Sequence, residues 1–260
     1  MDLQLKDKVI LISGGAKGIG AAITRGVARE GGIPVIVDMD ASARNQIQAE
    51  LQSLGKTCGL ICVDLLATES CSTAVEQTLN EFGRLDVLVN NAGVNDGTGL
   101  ERGSPEKFAT SLQKNLLHYY NLAHFALPSL KKSQGSIVNI ASKTAVTGQG
   151  GTSGYVAAKG AILALTREWA AELLPFGIRV NAVVPAEVMT PLYQQWLSTF
   201  PNPEEKLKQI VAKIPLGNRM THADEIAAMV LFLCSAQAAH ITGQHLFVDG
   251  GYVHLDRALT

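Results

Sequence analysis

Lys8-Val9-Ile10-Leu11-Ile12-Ser13-Gly14-Gly15-Ala16-Lys17-Gly18-Ile19-Gly20 is a short apolar run that breaks into glycines. The run is too short for a helix and ends in turn residues, so residues 8–13 read as a buried strand. A helical pattern follows over about 18–30. The same alternation continues outward from this stretch. Further strands are expected over 33–38, 57–63, 85–89, 136–141, 178–184 and 245–248. Helices are expected over 41–54, 68–82, about 105–130, 153–174 and 222–235. Ser104 and Pro105 suit the cap and first turn of the helix near 105.

Continuous apolar strands alternating with helices imply a parallel sheet covered on both faces. Right-handed crossovers then give an α/β, doubly wound (Rossmann) sheet of about seven strands with helices on both faces. The 260 residues are read as one domain, 1–260. A short insertion for substrate contact is expected near 186–215. Five prolines fall within 185–215, and Tyr193, Trp196, Leu197 and Leu207 predict short helices there.

Composition narrows the function classes. Hydrophobic residues make up 47% and charged residues 17% of the chain, which fits a well-buried core. The net charge of -1 gives no reason to expect nucleic acid or an anionic membrane as partner. No run approaches the ~18 apolar residues of a membrane span. Residues 1–8 carry Asp2, Lys6, Asp7 and Lys8 and no apolar segment, so no signal peptide is expected. Cys58, Cys62, Cys71 and Cys234 form no CxxC pair, and the histidines lack ligand spacing. No metal is expected, and reduced thiols and a cytoplasmic location are the default.

The glycine stretch stands where a strand ends and a helix begins. There, glycines let the backbone approach a pyrophosphate, and the helix N-terminus favours its charge. Gly14, Lys17, Gly18, Ile19 and Gly20 are therefore candidates for cofactor binding, although glycines alone also suit an ordinary turn. Asp38 closes the second strand, 18 residues past Gly20. A carboxylate there accepts both ribose hydroxyls of adenosine and repels a 2′-phosphate, favouring NAD over NADP. Lys17 is the counter-signal, and Asp38 also suits a simple turn.

Tyr155 and Lys159 stand four apart in Gly154-Tyr155-Val156-Ala157-Ala158-Lys159, with Ser142 upstream. Positions i and i+4 share one helix face. Free tyrosine titrates near ~10, and a neighbouring ammonium favours its phenolate. With the Ser142 hydroxyl, the group is equipped to move a proton on or off a carbinol or carbonyl oxygen.

Gly14-x3-Gly18-x-Gly20, Asp64, Asn90-Asn91-Ala92-Gly93, Asn115, Ser142, Tyr155-x3-Lys159 and Pro185 with Thr190 occur in the order of the short-chain dehydrogenase/reductase family. The chain resembles that family along nearly its whole length. The resemblance implies roles. Asp64 and Leu65 flank the adenine, and Asn91, Ala92 and Gly93 line the cofactor cleft. Asn115 distorts its helix and holds a water of a proton relay. Lys159 also binds the nicotinamide ribose. Val188 and Thr190 meet the carboxamide, with Pro185 beside them.

Two departures stand out. The family usually has Pro-Gly after the sixth strand, where this chain has Pro185-Ala186-Glu187. The chain also runs on past Gly251, through Tyr252 to Thr260, as a tail that closes a site or simply frays. The loops after strands four, five and six, with the tail, resemble bacterial L-fucose dehydrogenases of this family. Asn95, Lys143, Gln149 and Glu187 are hydrogen-bonding side chains on those loops and suit a polyhydroxylated ligand. Met189, Tyr193 or Trp196 would contact a sugar methyl group. The implied activity is NAD-dependent oxidation of L-fucose or a related aldose at C1. One rival is a reductase of another ketone or secondary alcohol, such as a sugar acid, a 3-oxoacyl thioester or a steroid. The rival of another class is a cofactor-sensing binding protein on the same scaffold, which need not keep Asn115, Ser142, Tyr155 and Lys159 together. The family also implies a homotetramer. Ile162, Leu165, Trp169 and Leu173 recur at helical spacing and suit either that interface or the core.

Overall fold

The computed structural model describes residues 2–255. Strands β1 (Val9–Ser13), β2 (Ile33–Val37), β3 (Gly59–Ile61), β4 (Val87–Asn90), β5 (Ser136–Ile140), β6 (Arg179–Pro185) and β7 (His245–Val248) form one sheet in the order β3-β2-β1-β4-β5-β6-β7. Every neighbouring pair is parallel, as the doubly wound reading expects. The register runs Ile36↔Ile12↔Val89↔Val138↔Asn181 across the centre. Winding leaves β1 in one direction towards β2 and in the other towards β4. That reversal opens a crevice at the carboxyl ends of the strands.

Nine α-helices are found among the described residues: α1 (Gly18–Arg29), α2 (Ala41–Ser53), α3 (Thr68–Phe82), α4 (Pro105–Leu112), α5 (His118–Ser133), α6 (Ser153–Leu173), α7 (Pro191–Leu197), α8 (Pro203–Val211) and α9 (Ala223–Cys234). Alternate strand residues point to opposite faces, so each face of the sheet has its own core. Val9 and Leu11 pack with Tyr119, Leu122 and Leu130 of α5 and with Ile162, Trp169 and Leu173 of α6. Ile10 and Ile12 pack with Ile23 and Val27 of α1 and with Ile226 and Val230 of α9.

The structure corrects two of the expected elements and agrees with the short helices expected in the proline-rich stretch. The helix expected over 105–130 is interrupted by a π-helical turn, Gln113–Leu117, and continues to Ser133. The third strand shrinks to three residues. It is an edge strand and pairs only with β2, at Val35↔Gly59 through Val37↔Ile61. Ile162, Trp169 and Leu173 lie in the core of this chain, leaving Leu165 partly covered at its margin. The proline-rich stretch does form two short helices, α7 and α8, each begun by a proline and capped by the preceding Thr190 or Asn202. Among the described residues no helix is long and apolar enough to cross a membrane. The tail beyond residue 255 lies outside the described residues.

Candidate active site

A cleft of about 730 Å³ follows the carboxyl ends of the central strands. Its floor at one end is the β1–α1 turn. Gly14 has φ +64°, a region that disfavours side chains. A Cβ on Gly20 would lie 2.0 Å from the Gly14 carbonyl oxygen, so only a bare backbone closes this turn. Asn91 fixes it from the neighbouring strand, donating from Nδ2 to the Ser13 and Gly14 carbonyls at 2.9 and 3.1 Å. The Ser13 hydroxyl accepts from the Asn91 and Ala92 amides at 2.9 and 3.1 Å. Ser13 was not singled out from the sequence. Its position at the last residue of a strand beside a glycine turn is the available signal.

Asp38 stands at the cleft edge. Its carboxylate accepts from the Ala16 amide at 3.2 Å and the Asp40 amide at 3.0 Å. Lys17 is not free. It is ion-paired with Asp40, whose hydrogen bond raises the lysine and lowers the carboxylate. Asp40 is thus a further member of this end, missed because its capping of α2 hides it. Gly18, Ile19, Asp64 and Leu65 line the same end. Among these, the Asp64 carboxylate accepts from the Leu66 amide at 3.1 Å. The residues present fit a dinucleotide: a side-chain-free turn at a helix N-terminus, and a carboxylate at the end of β2.

The other end of the cleft holds Ser142, Tyr155 and Lys159, with Gly93, Pro185, Val188 and Thr190 along its walls. Ser142 follows β5, and Tyr155 and Lys159 share one face of α6. The Ser142 oxygen accepts from the Thr144 hydroxyl at 3.0 Å and the Thr144 amide at 3.3 Å. Its own proton is left for the Tyr155 phenol, with which it is hydrogen-bonded. Burial nonetheless pushes the phenol above its ordinary value, the Ser142 bond acting the other way.

Lys159 does not bond the phenol. Its Nζ donates to the Ile140 carbonyl at 2.7 Å and the Tyr119 hydroxyl at 3.0 Å, and sits 5.6 Å from the Tyr155 ring centroid. Burial drives this amine down to about 7. The sequence predicts a depressed phenol; in this structure burial raises it, and only the Ser142 bond acts the other way.

Asn115 lies in the π-helical turn, fully buried. Its Oδ1 accepts from the Val94 amide at 2.7 Å and its Nδ2 donates to the Ser111 carbonyl at 3.0 Å. The expected distortion of its helix is present. A Cβ on Gly93 would fall 2.9 Å from Asn115 Oδ1 and 3.6 Å from Lys159 Nζ, so Gly93 separates the two.

The expected substrate residues divide. Asn95 and Tyr193 line the cleft. Lys143 and Glu187 lie behind its wall, ion-paired to one another. The second Glu187 oxygen accepts from the Tyr193 hydroxyl at 2.8 Å. Burial, then the Glu187 charge, pushes that phenol up. The carboxylate expected to be free for sugar hydroxyls therefore has both oxygens engaged. Tyr252 joins this group, its ring 3.9 Å from Lys143 Nζ. Gln149 is exposed and does not line the cleft. Met189 and Trp196 do not line it either; Trp196 packs edge-on against Tyr193 and Phe200 instead. Loop residues such as these have no periodicity from which a direction can be read. His118 also lines the cleft, with Nε2 3.0 Å from the Lys114 carbonyl and burial driving it down to about 4.

A family model described as Enoyl-(Acyl carrier protein) reductase matches residues 14–253. The chain is 37% identical over 252 residues to an L-fucose dehydrogenase of Bos taurus, spanning 96% of this chain and 91% of that one. It is similar to the crystal structure of Cj0485 dehydrogenase, with 47% identity, a TM-score of 0.94 and coverage of 100% and 99%. It is also similar to the ligand-free aldohexose dehydrogenase of Thermoplasma acidophilum, with 30% identity, a TM-score of 0.89 and coverage of 99% and 98%. The L-fucose dehydrogenases found are mammalian, where the loop resemblance points to bacterial ones.

Proposed function

The chain belongs to the short-chain dehydrogenase/reductase family of NAD(P)-dependent oxidoreductases acting on CH–OH groups, and we propose that it oxidises L-fucose or a related aldose at C1 with NAD. The observation that carries the reading is the cleft end itself. A phenol, a serine hydroxyl that accepts from Thr144 and keeps its own proton to donate, and a buried lysine amine meet beside Tyr193, whose hydroxyl is held from behind the wall by Glu187, itself paired with Lys143. Relatives named for L-fucose and for aldohexoses support a sugar as the substrate.

Gly14, Gly18 and Ile19 would hold the pyrophosphate, Asp38 the adenosine ribose, and Lys159 the nicotinamide ribose. When bound, the cofactor supplies a nicotinamide ring that accepts hydride. Ser142 orients the C1 hydroxyl. Tyr155 as phenolate removes its proton as the C1–O bond becomes a carbonyl, and the product is the lactone. Ser142 then donates to the developing carbonyl oxygen. Asn115 holds the bend of α4 into α5 against Lys159 and serves the relay of the proton to solvent. Glu187 acts through its partners from behind the wall: it fixes the Tyr193 hydroxyl, which lines the cleft, and neutralises Lys143, so the wall presents an oriented phenol with no net charge behind it. Such a wall suits neutral hydroxyls, because a site built to bond them rejects ligands that leave its groups unpaired.

A panel of aldoses, alditols, β-ketoacyl thioesters and steroids, followed by NADH formation or loss, tests the reading. L-Fucose should be oxidised, with L-galactose and D-arabinose comparable or poorer. Glu187→Gln should raise the sugar KM and leave NAD affinity unchanged. Activity on thioesters or steroids with none on aldoses would reduce the assignment to the family level.

A further inference from the structure

Tyr119 is the largest of the fully buried side chains, yet it carries a hydroxyl. A buried hydroxyl costs stability unless it is bonded. This one has both of its capacities used. It donates to the Ile140 carbonyl at 3.0 Å and accepts from Lys159 Nζ at 3.0 Å. Lys159 also donates to the same Ile140 carbonyl, so the three groups form a closed triangle at the end of β5, two residues before Ser142. The ammonium lies between two phenol rings, 5.0 Å from the Tyr119 centroid and 5.6 Å from that of Tyr155. Tyr119 stands four residues after Asn115, one turn along from the π-helical segment. The bend therefore sets Tyr119 against the Lys159 side chain, while Asn115 stays on the far side of Gly93.

We propose that Tyr119 is a positioning residue for the reaction, its buried hydroxyl holding the Lys159 ammonium at a fixed place beside Tyr155. The inference rests on Lys159 as the residue that keeps Tyr155 reactive. A phenylalanine in its place would fill the same volume and pack in the same core. It would leave Lys159 with one protein acceptor instead of two. A hydrogen bond to a charged group favours the charged form, so its loss lets the amine deprotonate at lower pH. The Tyr155 phenol then loses a neighbouring positive charge and ionises at higher pH. The titratable groups facing Lys159 are Tyr155 on α6 and Tyr119 and His118 on α5, and its bonds go to a phenol and a carbonyl.

The test is the pH profile of kcat/KM for Tyr119→Phe, measured on the best substrate of the wild type. The bell should narrow, with at least one limb moving inward by about one pH unit, the size of one charge-assisted hydrogen bond. Two variants accompany it. Leu122→Ala, in the same buried helix face, should lower the melting temperature and leave the limbs in place. Lys159→Met should abolish most turnover. An unmoved profile in Tyr119→Phe, or the same narrowing in Leu122→Ala, overturns the inference. If Lys159→Met turns over normally, the role of Lys159 itself fails, and that result is distinct from the first.

Discussion

Single side chains decide both the chemistry and the choice of cofactor. The Tyr155 phenol lies above its ordinary value because burial outweighs the Ser142 bond. Oxidation needs the phenolate, so the acid limb of the pH profile belongs to Tyr155, and turnover should climb with pH along that limb. Tyr155→Phe should remove that climb and lower kcat by at least the ~10²-fold typical of a lost acid–base group, with NAD affinity nearly unchanged. Near-normal turnover would refute the assignment. At the other end of the cleft, Asp38 should repel a 2′-phosphate. Asp38→Ala should narrow the preference for NAD over NADP by about tenfold in Kd, measured by calorimetry, equivalent to ~1.4 kcal/mol. Lys17 should add little in that variant, because Asp40 holds it. Asp40→Ala combined with Asp38→Ala should release the lysine and narrow the preference further. Equal affinity for both cofactors in the wild type would contradict the role of Asp38.

At the scale of elements, the strands are tied by polar groups that no hydrophobic pattern reveals. Asp86 precedes β4 and is almost fully buried. It accepts from the Val9 amide at 3.0 Å, from Arg84 at 2.6 and 2.8 Å, and from Lys8 at 3.3 Å. Burial alone would raise its pKa. The Arg84 and Val9 hydrogen bonds and the two cations outweigh that and hold the carboxyl below its ordinary value. A depressed carboxylate contributes stability that is present above its unfolded pKa of ~3.9 and fades as pH falls through the folded value. Asp86→Asn should therefore cost about 2 kcal/mol near neutrality, where it leaves the Val9 amide and the Arg84 guanidinium poorly paired. The gap in melting temperature between the two proteins should stay level above about pH 5 and close as the pH drops below ~4. A gap that is constant down to pH 2 would argue against the ion pair as its source.

The same scale shows what the sequence made legible. Continuous apolar strands such as 9–13 and strong caps such as Ser104 mark where their own elements begin to within a residue. The break at Gln113–Leu117 has no apolar signature, because a π-helical turn keeps the helical pattern on either side of it. Only the resemblance pointed to a distortion at Asn115.

For the whole molecule, alternation and handedness give a doubly wound parallel sheet, and the strand order seen in the structure puts the cleft at the reversal between β1 and β4. Residues on strand ends or on one helix face, such as Asp38, Ser142, Tyr155 and Lys159, were placed together by these rules. The partners of loop side chains were not. Lys143 and Glu187 are 44 residues apart, and nothing in their local sequence announces a mutual ion pair. The bonded hydroxyl of Tyr119 likewise has no sequence signal. A homotetramer is the proposed assembly. Exposed Tyr120 and Leu117, with His124 stacked on Tyr120, give α5 and the turn before it an apolar strip suited to a neighbour. Sedimentation at micromolar concentration should show a mass near four chains, and a monomer would overturn that proposal.

The central claim is oxidation at C1, and isotope transfer tests it most directly. L-Fucose carrying deuterium at C1 should be turned over with NAD while the reduced cofactor is examined by NMR. One deuteron should appear on the nicotinamide ring per lactone formed, and the rate should show a primary isotope effect unless product release is limiting. Reduced cofactor without deuterium, the label remaining in the sugar, would contradict the account.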